Sequence, residues 1–141
     1  MGYTHIWDLK STKDVSSVPE VTEKIDKCNQ TIWGGRYLHQ NNNLFVTFDG
    51  SGSVKLLKYN YTDNQKNSND TKYPNKPGCI EKLQESQLSE QPISAFDWSP
   101  DKLGLAVSTS FDQKIRVLAF TNLEKLWFLK NVMIYISIPV T

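Results

Sequence analysis

The sequence predicts an all-β protein: a partial β-propeller of about two and a half four-stranded blades, unable to close a ring alone. Three observations carry that prediction. Short apolar runs are punctuated by Gly- and Asn-rich turns between residues 31 and 120. The order of apolar run, turn and apolar run occurs twice, at a fixed offset of 61 residues. Ile32 falls on Ile93, Leu38 on Ser99, Val46 on Val107 and Thr47 on Ser108; Val54, Lys55, Leu56 and Leu57 fall on Ile115, Arg116, Val117 and Leu118. Setting aside a polar excursion of roughly 19 residues leaves a period of about 42, inside the ~40–45 residues of one four-stranded blade.

The elements follow in order. Tyr3 to Leu9 alternates and passes through Trp7-Asp8, which reads as the end of a strand. Ile6-Trp7-Asp8 aligns with Leu56-Leu57-Lys58 at an offset of 50, making it the third strand of an earlier blade. Lys10 to Asp26 is polar, with Ser16, Ser17 and Pro19, and reads as a loop or weak strand. Three strands are expected in Thr31–Leu38, Leu44–Phe48 and Ser53–Tyr61. Asn41-Asn42-Asn43 and Asp49-Gly50-Ser51-Gly52 separate them, residues that accept turn geometry at little steric cost. Asn60 to Gly78 holds almost nothing that can enter a core and is expected as an exposed excursion. Ile80–Leu88 reads as a poor helix or an irregular outer strand, and the repeat favours the strand. Gln91–Phe120 supplies three strands of the last blade, whose fourth strand is expected to be missing.

The segment Trp127–Thr141 is strongly apolar but spans only 15 residues, is interrupted by Lys130 and is ended by Pro139. A membrane-spanning helix needs about 20 apolar residues, so the β-branched VMIYISI predicts a sticky strand instead. The resulting division is 1–26, the end of one blade plus a linker; 27–90, a blade with its insertion at 60–78; 91–126, the last blade; and 127–141, an atypical apolar tail.

Composition narrows function. Lys and Arg number 16 against 15 Asp and Glu, so there is no charge footprint for nucleic acid or an anionic membrane. Cys28 and Cys79 match no metal spacing and read as free thiols, with a single disulfide as the alternative. The N-terminus MGYTHIWDLK has no apolar signal core, so the three Asn-X-Thr sequons read as chance and a cytoplasmic location is expected.

Catalysis finds no constellation. His5 and His39 are the two histidines, and neither completes a Ser-His-Asp set with the scattered acids. Gly50-Ser51-Gly52 lacks the Lys-Ser or Lys-Thr ending of a phosphate loop. No enzyme activity, cofactor or metal is therefore expected. Trp7, Asp8, Trp98 and Asp112 are the expected structural blade residues, with Trp98 and Trp33 read as packed aromatics covering strand ends. Arg36, Lys55, Lys114 and Arg116 alternate along strands, which places them on a solvated sheet face and makes them candidates for a partner-binding stripe.

IWD (Ile6–Asp8), DWSPD (Asp97–Asp101) and SFDQKIRVL (Ser110–Leu118) resemble WD40 repeats. Gln91–Leu126 resembles the last blade of the WD40 family of axonemal dynein assembly factors, and Thr31–Tyr61 the blade before it. The resemblance runs from Gly2 to Leu126; Trp127–Thr141 has no counterpart in it. It implies a C-terminal fragment of a longer propeller. Two departures imply an incomplete polar brace: Ser51 stands at the position aligned with Asp112, and the family's Trp position holds Leu57 or Leu118.

The resemblance also implies a cytoplasmic adaptor, with RuvB-like ATPases, prefoldin-like co-chaperone subunits and axonemal dynein chains as partners, and an older link to apoptosis. Rival readings are a propeller that binds a methylated histone-type peptide and a truncated product without function. Expressed alone, such a chain is expected to aggregate or to unfold with poor cooperativity.

Overall fold

The computed structural model describes residues 2–7, 21–28, 31–60, 79–123 and 133–140. These form ten strands: β1 (Gly2–Trp7), β2 (Val21–Cys28), β3 (Ile32–Leu38), β4 (Asn41–Asp49), β5 (Ser53–Asn60), β6 (Cys79–Gln87), β7 (Ile93–Trp98), β8 (Leu105–Ser110), β9 (Lys114–Phe120) and β10 (Met133–Pro139). They make three antiparallel sheets, ordered β1-β2, β3-β4-β5-β6 and β10-β9-β8-β7, with no closed ring among the described residues. No helix there is long and apolar enough to cross a membrane.

The repeat offset governs the architecture. Strands β3 and β7 begin at Ile32 and Ile93, and β5 and β9 begin at Ser53 and Lys114, both 61 residues apart. The strand reading of Ile80–Leu88 holds: β6 pairs with β5 from Asn60↔Cys79 to Ser53↔Gln87. β2 pairs with β1, so the polar linker ends in a strand that runs past residue 26 to Cys28.

Two local expectations are corrected. Asn41-Asn42-Asn43 is not a separator but the start of β4; Leu38 faces Asn41 across a two-residue turn at His39-Gln40. The ladder already begins at Asn41, whose side chain accepts the Asn43 amide at 3.0 Å. The fourth strand of the last blade is not missing. Residues 133–139 pair with β9, with Tyr135 opposite Leu118 and Ile136 opposite Val117. The apolar, β-branched tail is suited to the bare edge that β9 would otherwise expose.

The main core lies between the two four-stranded sheets. Leu44, Val46, Phe48, Val54 and Leu56 of the first meet Phe96, Trp98, Leu118 and Phe120 of the second. Gln40 Nε2 donates to the carbonyls of Ser99 (3.3 Å) and Pro100 (2.8 Å), and Trp98 Nε1 donates to the Arg36 carbonyl at 3.3 Å. Every residue from Leu44 to Asp49 is buried, so β4 is covered on both faces, whereas β8 alternates exposed and buried positions from Leu105 to Ser108. A second cluster of Phe45, Leu57 and Tyr59, with Ile80, occupies the other face of the first sheet.

The β4–β5 turn depends on one glycine. Gly52 has φ of 85°, and a Cβ there would stand 2.2 Å from the Ser89 carbonyl oxygen. Its own carbonyl accepts the amides of Leu88 (3.0 Å) and Ser89 (3.3 Å), so the turn pins the chain leading into the second sheet. Gly52→Ala is expected to lose on the order of 2 kcal/mol, from left-handed strain together with a backbone clash. A denaturation midpoint equal to that of the wild type would show that this turn is not anchored as described.

Candidate functional site

The densest polar cluster surrounds Asp112, at the β8–β9 turn. Its Oδ1 accepts from the Ser110 hydroxyl, from the Lys114 amide at 3.2 Å and from Arg116 Nη1 at 3.1 Å. Its Oδ2 accepts from Arg116 Nη2 and from the Ser89 hydroxyl at 3.0 Å. Ser89 in turn accepts the Gln91 amide at 3.0 Å, joining the β6–β7 connection to the turn. The Arg116 guanidinium beside Asp112, helped by Ser110 and Ser89, holds the carboxyl well below the usual carboxylate range, against the opposing effect of burial. Such a carboxylate stays ionised and is occupied on both oxygens. It fastens a turn and is poorly suited to accept a proton.

The expected gap in this brace is filled by other residues. In the first sheet the acid is Asp49 instead of Ser51, and Asp49 Oδ1 accepts from the Ser51 hydroxyl (2.5 Å), the Ser51 amide (2.9 Å) and the Ser53 amide (3.1 Å). Asp49 aligns with Ser110 and Ser51 with Asp112, so the acid and hydroxyl have exchanged places while keeping their mutual hydrogen bond. In the second sheet Arg116 supplies the strand donor that Leu118 could not. A residue-by-residue overlay hides this, because it compares Ser51 with Asp112 and not the pair with the pair.

The four basic candidates do not share one surface. Arg36 and Lys114 are exposed, but Arg116 is 4% exposed and Lys55 is 9% exposed. Both buried cations sit at equivalent repeat positions and each meets a carboxylate: Arg116 pairs with Asp112, and Lys55 Nζ lies 3.7 Å from Glu85. The four-residue solvated stripe is therefore corrected to two exposed positions, because residues 55 and 116 lie on the covered side of their sheets. Asp8 falls outside the described residues, as do residues 61–78 of the polar excursion; Trp7 ends β1 opposite Val21.

Trp98 is 3% exposed and lies edge-on to Phe96 (5.2 Å between centroids) and tilted against Phe120 (5.0 Å). Trp33 differs from the expectation of a packed aromatic: it is half exposed and meets the likewise exposed Phe111 edge-on at 5.5 Å. This aromatic pair lies beside the turns that end β4 and β8, where a contact between the two sheets leaves both rings open to solvent. Phe111 carries no periodic mark in the sequence, so its pairing with Trp33 emerges only in three dimensions. Among the described residues no group of three or more His, Cys, Asp and Glu side chains could hold a metal ion.

No protein-family model matches the chain. Curated relatives do. It is 42% identical over 127 residues to dynein axonemal assembly factor 10 of Xenopus tropicalis, covering 89% of this chain and 35% of the relative. The human protein of that name is 40% identical over 126 residues, with the same two coverages. That of Chlamydomonas reinhardtii is 37% identical over 122 residues, covering 86% of this chain and 34% of the relative. The chain thus spans about a third of the length of the curated relatives it matches. An all-β chain of repeated four-stranded antiparallel sheets, it is similar to dynein axonemal assembly factor 10 over about a third of that protein's length.

Proposed function

We propose that the chain is a non-catalytic WD40 adaptor segment acting in the cytoplasmic assembly of axonemal dynein. One observation carries the reading: 40% identity over 89% of the chain to the human assembly factor and 37% over 86% to that of Chlamydomonas reinhardtii. The proposed partners are axonemal dynein chains on one surface, with RuvB-like ATPases and prefoldin-like co-chaperone subunits on another. The exposed Arg36 and Lys114 and the Trp33–Phe111 pair are the surface groups proposed for these contacts, since aromatic and cationic side chains dominate interface energetics. The saturated Asp112 carboxylate supports a scaffolding role over acid–base work. The proposed units are residues 1–26, 27–90, 91–126 and 127–141, with the last completing the sheet of the third.

Affinity capture from ciliating cells tests the reading, with this chain and a longer relative as parallel baits. Axonemal dynein chains are expected with both, and Trp33→Ala with Phe111→Ala is expected to reduce recovery at least about tenfold. Recovery of neither dynein chains nor RuvB-like ATPases with the longer bait would overturn the adaptor assignment.

A further inference from the structure

We propose that Ser99 is a phosphorylation site for a proline-directed serine/threonine kinase, and that the added phosphate releases a clamp between the two four-stranded sheets. Ser99-Pro100-Asp101-Lys102 holds the acceptor, a proline directly after it and a cation at the third position beyond. Of the 6 prolines in the chain, Pro100 is the one that follows a Ser or Thr. Such kinases select proline there because it carries no N–H for their apolar pocket to leave unpaired, and the later cation adds charge complementarity. Pro100, Asp101, Lys102 and Leu103 are all exposed in the loop between β7 and β8, and Ser99 is half-buried at its start. The repeat does not duplicate the site: Leu38 falls on Ser99 at the offset of 61, and its side chain is fully buried.

The bonds of this loop give the modification its consequence. The Ser99 hydroxyl accepts the Lys102 amide at 3.2 Å, and the Ser99 amide donates to the Leu105 carbonyl at 2.8 Å. The carbonyls of Ser99 and Pro100 are both held by the Gln40 side chain of the first sheet. One residue back, Trp98 joins the sheets through the Arg36 carbonyl. In the reaction the Ser99 hydroxyl oxygen attacks the γ-phosphorus of ATP. The new O–P bond forms, the bond from that phosphorus to the β–γ bridging oxygen breaks, ADP leaves, and the hydroxyl proton passes to the kinase's base. The product adds about −1.5 to −2 charge at pH 7, within two residues of the exposed Asp97 and Asp101 and only partly offset by Lys102. Repulsion and the bulk of the phosphate push the loop outward, away from Gln40. Neither step depends on the adaptor reading.

Incubation of the full chain with a cyclin-dependent kinase and Mg-ATP, followed by site mapping in the mass spectrometer, tests the site. Phosphate is expected on Ser99, and Pro100→Ala should slow its transfer at least about tenfold. Gln40→Ala, which frees the loop, should speed it several-fold. Gly52→Ala, which weakens a turn at the opposite end of β4, should not. Amide hydrogen exchange across residues 99–105 should quicken once the chain is phosphorylated. Absence of phosphate on Ser99, or a rate indifferent to Pro100→Ala, would overturn the proposal. So would a gain in Gly52→Ala equal to that in Gln40→Ala, which would place the reaction in the unfolded chain. Exchange left unchanged by the phosphate would refute release of the clamp.

Discussion

Trp98→Ala is expected to destabilise the protein by about 3–5 kcal/mol, a large share of the roughly 5–15 kcal/mol that holds an ordinary domain folded. The indole is 3% exposed, sits between Phe96 and Phe120, and donates to the Arg36 carbonyl across the inter-sheet core. Its removal leaves a cavity where three aromatic rings meet and an unsatisfied carbonyl beside it. Trp98→Phe retains most of the packing but not the hydrogen bond, so it should lose less, about 1–2 kcal/mol. Urea titration followed by intrinsic fluorescence and circular dichroism measures both. Near-equal losses for the two variants would mean that the hydrogen bond, and not ring volume, secures the two sheets.

Arg116→Ala is expected to lose about 2–3 kcal/mol, because it strands the Asp112 carboxylate with only Ser and backbone donors. The value falls below that of a fully sealed pair because the Asp112 side chain keeps 18% exposure and is partly screened. The pair also sets a pH dependence. The Asp112 carboxyl is depressed in the folded state, so its contribution is fully present above the unfolded value of about 3.9 and is lost as pH falls toward the folded value. Wild-type stability should therefore drop below about pH 4, and the gap between wild type and Asp112→Asn should shrink over the same window. A gap that stays constant from pH 7 to pH 3 would remove the ion pair from the account.

The strands and their repeat were legible because side-chain alternation and turn chemistry are local. β3, β5, β7 and β9 begin where overlay at 61 puts them, and β6 follows from the blade pattern despite its polar composition. The brace was less legible. Asp49 and Ser51 exchange the roles of Ser110 and Asp112, and a hydrogen bond between residues two apart survives that exchange while an alignment column does not. Arg116 and Lys55 resembled surface cations because alternation marks two faces without saying which is covered.

From the sequence alone came the all-β class, the strand order within each repeat, the turn at Asp49–Gly52 and the likeness to axonemal dynein assembly factors. Local propensity and periodicity are enough for the class, the strand order and the turn, whereas the likeness rests on the particular residues of 31–61 and 91–126. Only the tertiary structure decided which face of each sheet is buried, that residues 133–139 complete the last sheet, and that Trp33 meets Phe111 in the open. Each depends on a contact between residues distant in the chain. Such a contact is chosen by which apolar face or free edge lies opposite, and no local pattern contains that information.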